Sequence, residues 1–268
     1  MTLLEAIILG LIQGLSEFLP VSSSGHLELG KEVLGVNLGN TSNNLFFTIT
    51  VHSATALATI IVFRKDILNI LWDVWRLKFT DNINFALFVI VSMIPAVFAG
   101  LFLEDELEKL FNGNVLLVGT MLLVTSILLF TTVKLKPQKG ILDYKRSFMI
   151  GIAQAIAIIP GISRSGATIS TGLLLGIKRK EVARFSFLMV IPLIFGAMAK
   201  EIMDYKPDES AADIKPEVLI AGFVAAFGSG WLACRWMIYL VRKSKLGYFA
   251  LYCAVIGIAA ITYHLING

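Results

Sequence analysis

The sequence predicts an all-α integral membrane protein. It should have six transmembrane helices and two re-entrant helix hairpins, arranged as an inverted-topology repeat. Three observations lead there. Of 268 residues, 56% are hydrophobic and only 16% charged, with a mean hydropathy of +0.79. A soluble domain of this size needs more polar surface to cover itself. Apolar stretches long enough to cross a bilayer recur along the chain, and two further apolar regions are each interrupted by a Ser- and Gly-rich turn.

The predicted spans run from Leu45 to Phe63, Phe85 to Leu103, Val115 to Val133, Phe185 to Met203, Val218 to Leu240 and Leu246 to Leu265. The interrupted regions are Leu3 to Leu34, broken at 20–25, and Phe148 to Ile177, broken at 160–166. Each reads as a short helix, a polar turn and a second short helix. Such irregular backbone at membrane depth is tolerated only where protein or a wet cavity satisfies its NH and CO groups. Two separate full spans in each region are the alternative, which Gly161, Gly166 and the hydroxyls disfavour. The first run ends in Glu17 and Pro20, not in a small-residue cleavage site, so no cleavable signal peptide is expected.

Charge orients the spans. The segments Arg64 to Asn84, Lys134 to Ser147, Lys178 to Arg184 and Arg242 to Lys245 hold four, five, four and three Lys or Arg. Glu104 to Asn114 carries four acids against Lys109, and Asp204 to Glu217 five acids against two lysines. The positive-inside rule places the first four in the cytoplasm and the last two outside. That walk closes only if Phe148 to Ile177 enters and leaves on the cytoplasmic side and Leu3 to Leu34 on the outer side, and it puts both termini outside. The net charge of +4 and pI of about 9.0 need no nucleic-acid role. Cys234 and Cys253, in apolar stretches without metal-ligand spacing, read as small buried residues.

The two interrupted regions resemble each other. Gly10, Gln13, Ser22, Ser24 and Gly25 recur 141 residues later as Gly151, Gln154, Ser163, Ser165 and Gly166, and Pro20 matches Pro160 with a one-residue slip. Three spans follow each region, so one membrane domain, 1–268, divides into repeats of about 1–136 and 137–268, the second upside down. Such repeats place their site where the broken helices meet.

The polar residues there form a constellation. Gln13 and Glu17, four apart, share a helical face, and a carboxylate at membrane depth faces protein or water. Solvation of Glu17 at the interface is the plain alternative. Ser22, Ser23, Ser24 and His26 follow on the turn, where serines also serve as helix caps. Arg164 stands alone in apolar sequence between Ser163 and Ser165, just before a helix expected to begin near Ala167. Its planar fork of donors suits phosphate oxygens, and a helix N-terminus favours an anion. A salt bridge to Glu17 is the alternative and does not exclude that role. In the repeat, Ser23 sits opposite Arg164. His52 heads a span and, with Ser53 and Thr55, is a weaker candidate. Arg235 reads as a snorkelling residue, Glu201 as interfacial, and Pro95 and Pro192 as kinks. An anion clamp, hydroxyls, one carboxylate and one histidine, with no nucleotide-binding motif, suit hydrolysis of a phosphate-bearing lipid.

The stretch Gln13 to His26, with Glu17 and Phe18-Leu19-Pro20-Val21-Ser22-Ser23-Ser24-Gly25-His26, resembles the first signature of the undecaprenyl-diphosphatase family, the bacitracin-resistance proteins. Pro160-Gly161-Ile162-Ser163-Arg164-Ser165-Gly166-Ala167-Thr168 resembles its second. The resemblance runs over essentially the whole chain. It implies removal of the terminal phosphate from undecaprenyl diphosphate, recycling the carrier lipid for peptidoglycan synthesis and conferring bacitracin resistance. It also implies a multi-pass protein of the bacterial plasma membrane whose site opens to the outer face. A divalent cation, Mg or Ca, is expected with Glu17 as its ligand; the family has Glu or Gln at position 13, and Gln13 leaves Glu17 the only carboxylate. Arg164 is then the clamp, Ser23 the candidate nucleophile with Ser22 second, and His26 a general acid or base. Gln13, Ser22, Ser24, Gly25, Gly161, Ser163, Ser165, Gly166 and Thr168 complete the expected substrate-binding set. The expected partners are a polyprenyl diphosphate lipid and the membrane, and a homodimer is admitted without being required. A flippase of the same lipid is the rival reading, since broken-helix repeats are also a transporter architecture.

Overall fold

The structure is a computed structural model that describes residues 1–36, 41–76, 80–102, 114–136, 138–204, 214–243 and 245–267. Its described elements are all helical: α1 (Leu3–Phe18), α2 (Ser23–Leu34), α3 (Thr41–Val62), α4 (Arg64–Trp75), α5 (Asp81–Phe102), α6 (Val115–Thr131), α7 (Tyr144–Ile156), α8 (Arg164–Leu174), α9 (Arg179–Leu188), α10 (Val190–Asp204), α11 (Pro216–Arg242) and α12 (Leu246–Asn267). Three of them, α5, α11 and α12, are long and apolar enough to cross a membrane, or four if the bent pair α3–α4 counts as one span.

That corrects the expected architecture of six spans and two re-entrant hairpins in an inverted repeat. The Val115 to Val133 segment forms a helix of 17 residues, roughly 25 Å long at about 1.5 Å per residue, short of the ~30 Å hydrocarbon core. The Phe185 to Met203 segment is two helices, α9 and α10, joined at Met189. Pro192 explains the break: it cannot donate to Leu188 O, and its ring crowds that carbonyl. Pro192 therefore lies in the first turn of α10, whereas Pro95 sits inside α5. Residues Arg64 to Asn84, expected as a loop, contain α4, which leaves α3 at a bend of 77°. This is the bend among the described residues that pairs two apolar helices into a candidate broken span, and it lies at neither Ser/Gly-rich turn. The four helices flanking those turns have 16, 12, 13 and 11 residues. Of the two acidic segments, 103–113 and 205–213 lie outside the described residues, as does the side chain of Glu201.

Local sequence sets the ends of the helices that carry the turns. A capping box of Thr2 and Glu5 starts α1. Pro20 turns Leu19 to extended backbone, ψ 143°, and stops it. Gly35, at φ 61°, closes α2.

Small residues then let the helices approach closely. A Cβ at Gly14 of α1 would collide with the Ser229 hydroxyl and the Ala226 carbonyl of α11, and one at Gly151 of α7 with the Ser92 carbonyl of α5. Aromatic side chains fill the centre: Phe187 lies 6.1 Å from both Phe18 and Phe63, and Phe185 meets Phe85 edge-on at 5.7 Å. Outward faces of α5 and α12 remain apolar, with Ile94, Phe98, Leu101, Leu251, Val255 and Ile258 exposed; that surface suits lipid rather than water. Both cysteines are free and buried.

The α1–α11 contact yields a test. Gly14→Leu forces a side chain into the Ala226 backbone and should cost about 1–3 kcal/mol by overpacking, read as a lower Tm of the purified protein in detergent. Gly100→Ala, where no described atom lies within 4 Å of the added Cβ, should leave Tm unchanged or slightly raised. Equal Tm for Gly14→Leu and wild type would refute the close packing.

Candidate active site

The two Ser- and Gly-rich turns pack against each other. A Cβ added to Gly25 would lie 3.2 Å from the Cα of Gly161, and one added to Gly166 would lie 3.4 Å from the Cβ of Pro20. Ser165 donates to the Leu19 carbonyl at 3.2 Å. Both turns end in the same cap: the Ser22 hydroxyl accepts from Gly25 N at 3.3 Å and the Ser163 hydroxyl from Gly166 N at 3.1 Å. Ser22 holds φ 72°, the one non-glycine in the left-handed region among the described residues, and Gly161 holds φ 95°. Strain of this kind persists where the surroundings over-determine the backbone.

Each cap places one candidate site residue first in its helix: Ser23 opens α2 and Arg164 opens α8. Arg164 thus begins the helix that was expected to start near Ala167. Both residues reach Glu17, at the end of α1. Arg164 Nη2 donates to Glu17 Oε1 at 2.5 Å. Ser23 donates to Oε2 at 2.7 Å, and Gln13 Nε2 donates to the same oxygen at 3.0 Å. The Glu17 and Arg164 side chains are 5% and 16% exposed. Gln13 also contacts His52 Nδ1 at 3.2 Å, and that nitrogen lies 3.8 Å from Glu17 Oε2. His52 sits in the middle of α3, not at its head. Two buried polar atoms of this cluster, Arg164 Nη1 and Gln13 Oε1, have no hydrogen-bond partner among the described residues. A guanidinium donor is therefore available beside a carboxylate that already holds a serine hydroxyl. Such a set can bind a phosphate and take a proton from an attacking group.

Residues 6–259 match the family described as Bacitracin resistance protein BacA. The chain belongs to that family. It is 52% identical over 263 residues to the undecaprenyl-diphosphatase of Christiangramia forsetii, covering 98% of each chain. It is 46% identical over 267 residues to the protein of that name from Bacteroides thetaiotaomicron, covering 99% of this chain and all of the other. A relative of the same name from Methanosphaera stadtmanae is 36% identical over 278 residues, with 97% of each chain covered.

Other expected site residues occupy different positions around this cluster. His26 Nδ1 lies 2.8 Å from the Ser22 carbonyl and Nε2 lies 2.9 Å from the Tyr252 hydroxyl, on which the ring also stacks. A carbonyl only accepts, so Nδ1 carries the hydrogen and Nε2 accepts from Tyr252. Among the described residues, no hydrogen bond or ion pair joins His26 to Glu17. Ser24 contacts Ser22 at 3.4 Å, and Ser163 contacts Ser165 at 3.3 Å. Thr168 donates to the Arg164 carbonyl at 2.8 Å and meets Ser186 at 2.6 Å, which secures the first turn of α8. The weaker candidates Ser53 and Thr55 turn to the helix backbone at Ile49 and His52, and Arg235 lies over the Trp231 ring.

Sequence reasoning missed Thr125 of α6, which accepts from Ser163 N at 2.9 Å and donates to the Gly161 carbonyl at 3.1 Å. One threonine among many in apolar helices gives no signal by itself. Thr125→Val strands a buried N–H, which should cost about 1–3 kcal/mol and appear as a lower Tm. Thr125→Ser keeps both bonds and should stay close to wild type. A Thr125→Val variant as stable as wild type would show that these two hydrogen bonds do not secure the turn.

Proposed function

We infer that this chain hydrolyses undecaprenyl diphosphate to undecaprenyl phosphate and inorganic phosphate, returning the lipid carrier to cell-wall synthesis and thereby opposing bacitracin. The protein is a multi-pass membrane protein of the bacterial plasma membrane. One observation carries the mechanism: Glu17 holds Ser23 on one oxygen and Arg164 on the other. When the diphosphate enters, Arg164 turns its fork from Glu17 to the phosphate oxygens and stabilises the charge that builds as the terminal phosphorus is attacked. Glu17 takes the Ser23 proton, Ser23 Oγ bonds to the terminal phosphorus, and the phosphoanhydride bond breaks to release undecaprenyl phosphate. Water then cleaves the phosphoserine. Ser23 is favoured over Ser22 because the Ser22 hydroxyl caps α2 and the Ser22 residue is only 2% exposed. His26 holds the Ser22 carbonyl, and a proton role would use the Nε2 that now faces Tyr252.

Among the described residues no group of three or more His, Cys, Asp or Glu could hold a metal ion. A divalent cation fits here as a shared ligand. Glu17 and the unpartnered Gln13 Oε1 would hold it together with diphosphate oxygens, and it would supply neutralisation of phosphate charge. Opening of the site to the outer face belongs to this reading and rests on the family resemblance. A second copy is not required, because Glu17, Ser23 and Arg164 come from one chain.

The test is phosphate release from farnesyl and undecaprenyl diphosphates by purified protein, with and without chelator. Release separates hydrolysis from transport, and its loss in chelator supports the cation. Arg164→Lys keeps the charge and loses the fork, so kcat should fall roughly a hundred- to thousand-fold, about 2.7–4 kcal/mol; Arg164→Ala should fall further and weaken binding as well. Near-normal kcat in folded Arg164→Ala would remove it from the mechanism.

Glu17 and Ser23 are tested in the same assay. Glu17→Gln should lose nearly all turnover, whereas Gln13→Glu should retain it. Ser23→Ala should lose turnover at unchanged Tm; a fully active Ser23→Ala would assign the attack to water.

A further inference from the structure

A second charged cleft lies at the bend between α3 and α4. Val62, Phe63, Asp66, Lys180, Arg184 and Ile238 line a cavity of about 350 Å³. None of these residues belongs to the Glu17–Arg164 cluster. Arg184 is fixed there: it pairs with Asp66 at 2.7 Å and lies 4.4 Å over the Phe85 ring. Lys180 is exposed and has no ion pair or hydrogen bond among the described residues. The lining therefore combines two cations, one acid already engaged by Arg184, and an apolar wall. A free phosphate has no use for such a wall, but a phospholipid does.

α4 supports that assignment independently. α3 has 22 residues, about 33 Å at 1.5 Å per residue, a length comparable to the hydrocarbon core before α4 begins. Arg64, Lys65, Asp66 and Asp73 make the helix costly in hydrocarbon. At 100° per residue three stripes separate. Ile67 and Ile70 pack on the core. Leu68, Leu71, Trp72 and Trp75 are exposed. Lys65, Asn69, Asp73 and Arg76 form a polar stripe. Trp72 and Trp75 stack at 5.5 Å, with Arg76 4.3 Å over Trp72. A helix with one face on protein, one apolar face outward and one polar face between lies in the membrane interface. The 77° bend turns it off the α3 axis toward that plane.

We propose that the cleft at the α3–α4 bend binds the headgroup of an anionic phospholipid. Lys180 and Arg184 take the phosphate, and the outward apolar stripe of α4 lies along the acyl chains. The measurement is tryptophan quenching of the whole protein in phosphatidylcholine nanodiscs containing brominated phosphatidylglycerol or, at equal bromine, brominated phosphatidylcholine. Phosphatidylglycerol should quench more. Lys180→Gln, at an exposed and unpaired position, should weaken the phosphatidylglycerol preference about fivefold, the effect of one interfacial cation. Lys145→Gln, the loss of another exposed lysine, should leave it unchanged. Equal quenching by both lipids overturns the proposal, and so does equal loss in the two lysine variants. Removal of the preference by inorganic phosphate would assign the cleft to a free anion and would likewise overturn the lipid reading. Because binding is read without turnover, the result stands apart from the hydrolase assignment.

Discussion

A carboxylate and a guanidinium that are both nearly out of water must find each other, and here they come from segments 147 residues apart. Glu17 closes α1, Arg164 opens α8, and their pairing ties the first turn to the second. Removing one partner of such a pair leaves an uncompensated buried charge, typically a loss of about 3–5 kcal/mol. A second apolar contact could hold the turns together more cheaply. The ion pair is therefore better understood as an arrangement kept for its chemistry, with much of the nearby structure serving to position it.

That service is visible in the backbone. Each turn exposes NH and CO groups inside an apolar protein, where each needs a partner. Ser22 and Ser163 cap the following helices, Thr125 takes up both ends of the 161–163 segment, and Ser165 reaches the Leu19 carbonyl. Gly25 and Gly161 let the turns touch, and Gly14 brings α1 against α11. The two regions are alike in their caps and different in their charges. Gln13 finds Glu17 four residues on, but Gln154 has Ile158 at that spacing, and both its amide atoms are buried without a partner among the described residues. One region supplies the carboxylate and serine, and the other the cation.

Glu17, Arg164 and Ser23 were legible in the sequence because charge and hydroxyl groups stand out in apolar surroundings, and because the i, i+4 relation of Gln13 and Glu17 is local. The number of spans was not. Hydropathy averages over a window, so it read 185–203 as continuous and missed the effect of Pro192 on Leu188. It also read the charges of 64–66 as a loop start, although the residues after them alternate faces as a helix. Long-range partners were equally hidden: nothing near His26 announces Tyr252, 226 residues away, so His26 was read as a general acid or base without sight of the ring that holds it.

Under the proposed function, the Glu17–Arg164 pair would also couple substrate arrival to reactivity. With Arg164 in place, Oε1 of Glu17 is occupied and its charge is neutralised, which makes the carboxylate a poor proton acceptor for Ser23. A diphosphate competes for the same guanidinium with more charge and more acceptor oxygens, arranged to match the fork. Once Arg164 transfers, Glu17 keeps its hydrogen bonds from Ser23 and Gln13 on Oε2 while Oε1 is released from the guanidinium, so one oxygen is open to the proposed cation and the other to the serine proton. Under the proposed function, the residue that binds the phosphate is therefore also the one whose departure activates the base. A lysine at 164 could neutralise Glu17 but could not grip two phosphate oxygens in the same plane. The transfer would then be less complete, and base activation would suffer along with charge stabilisation.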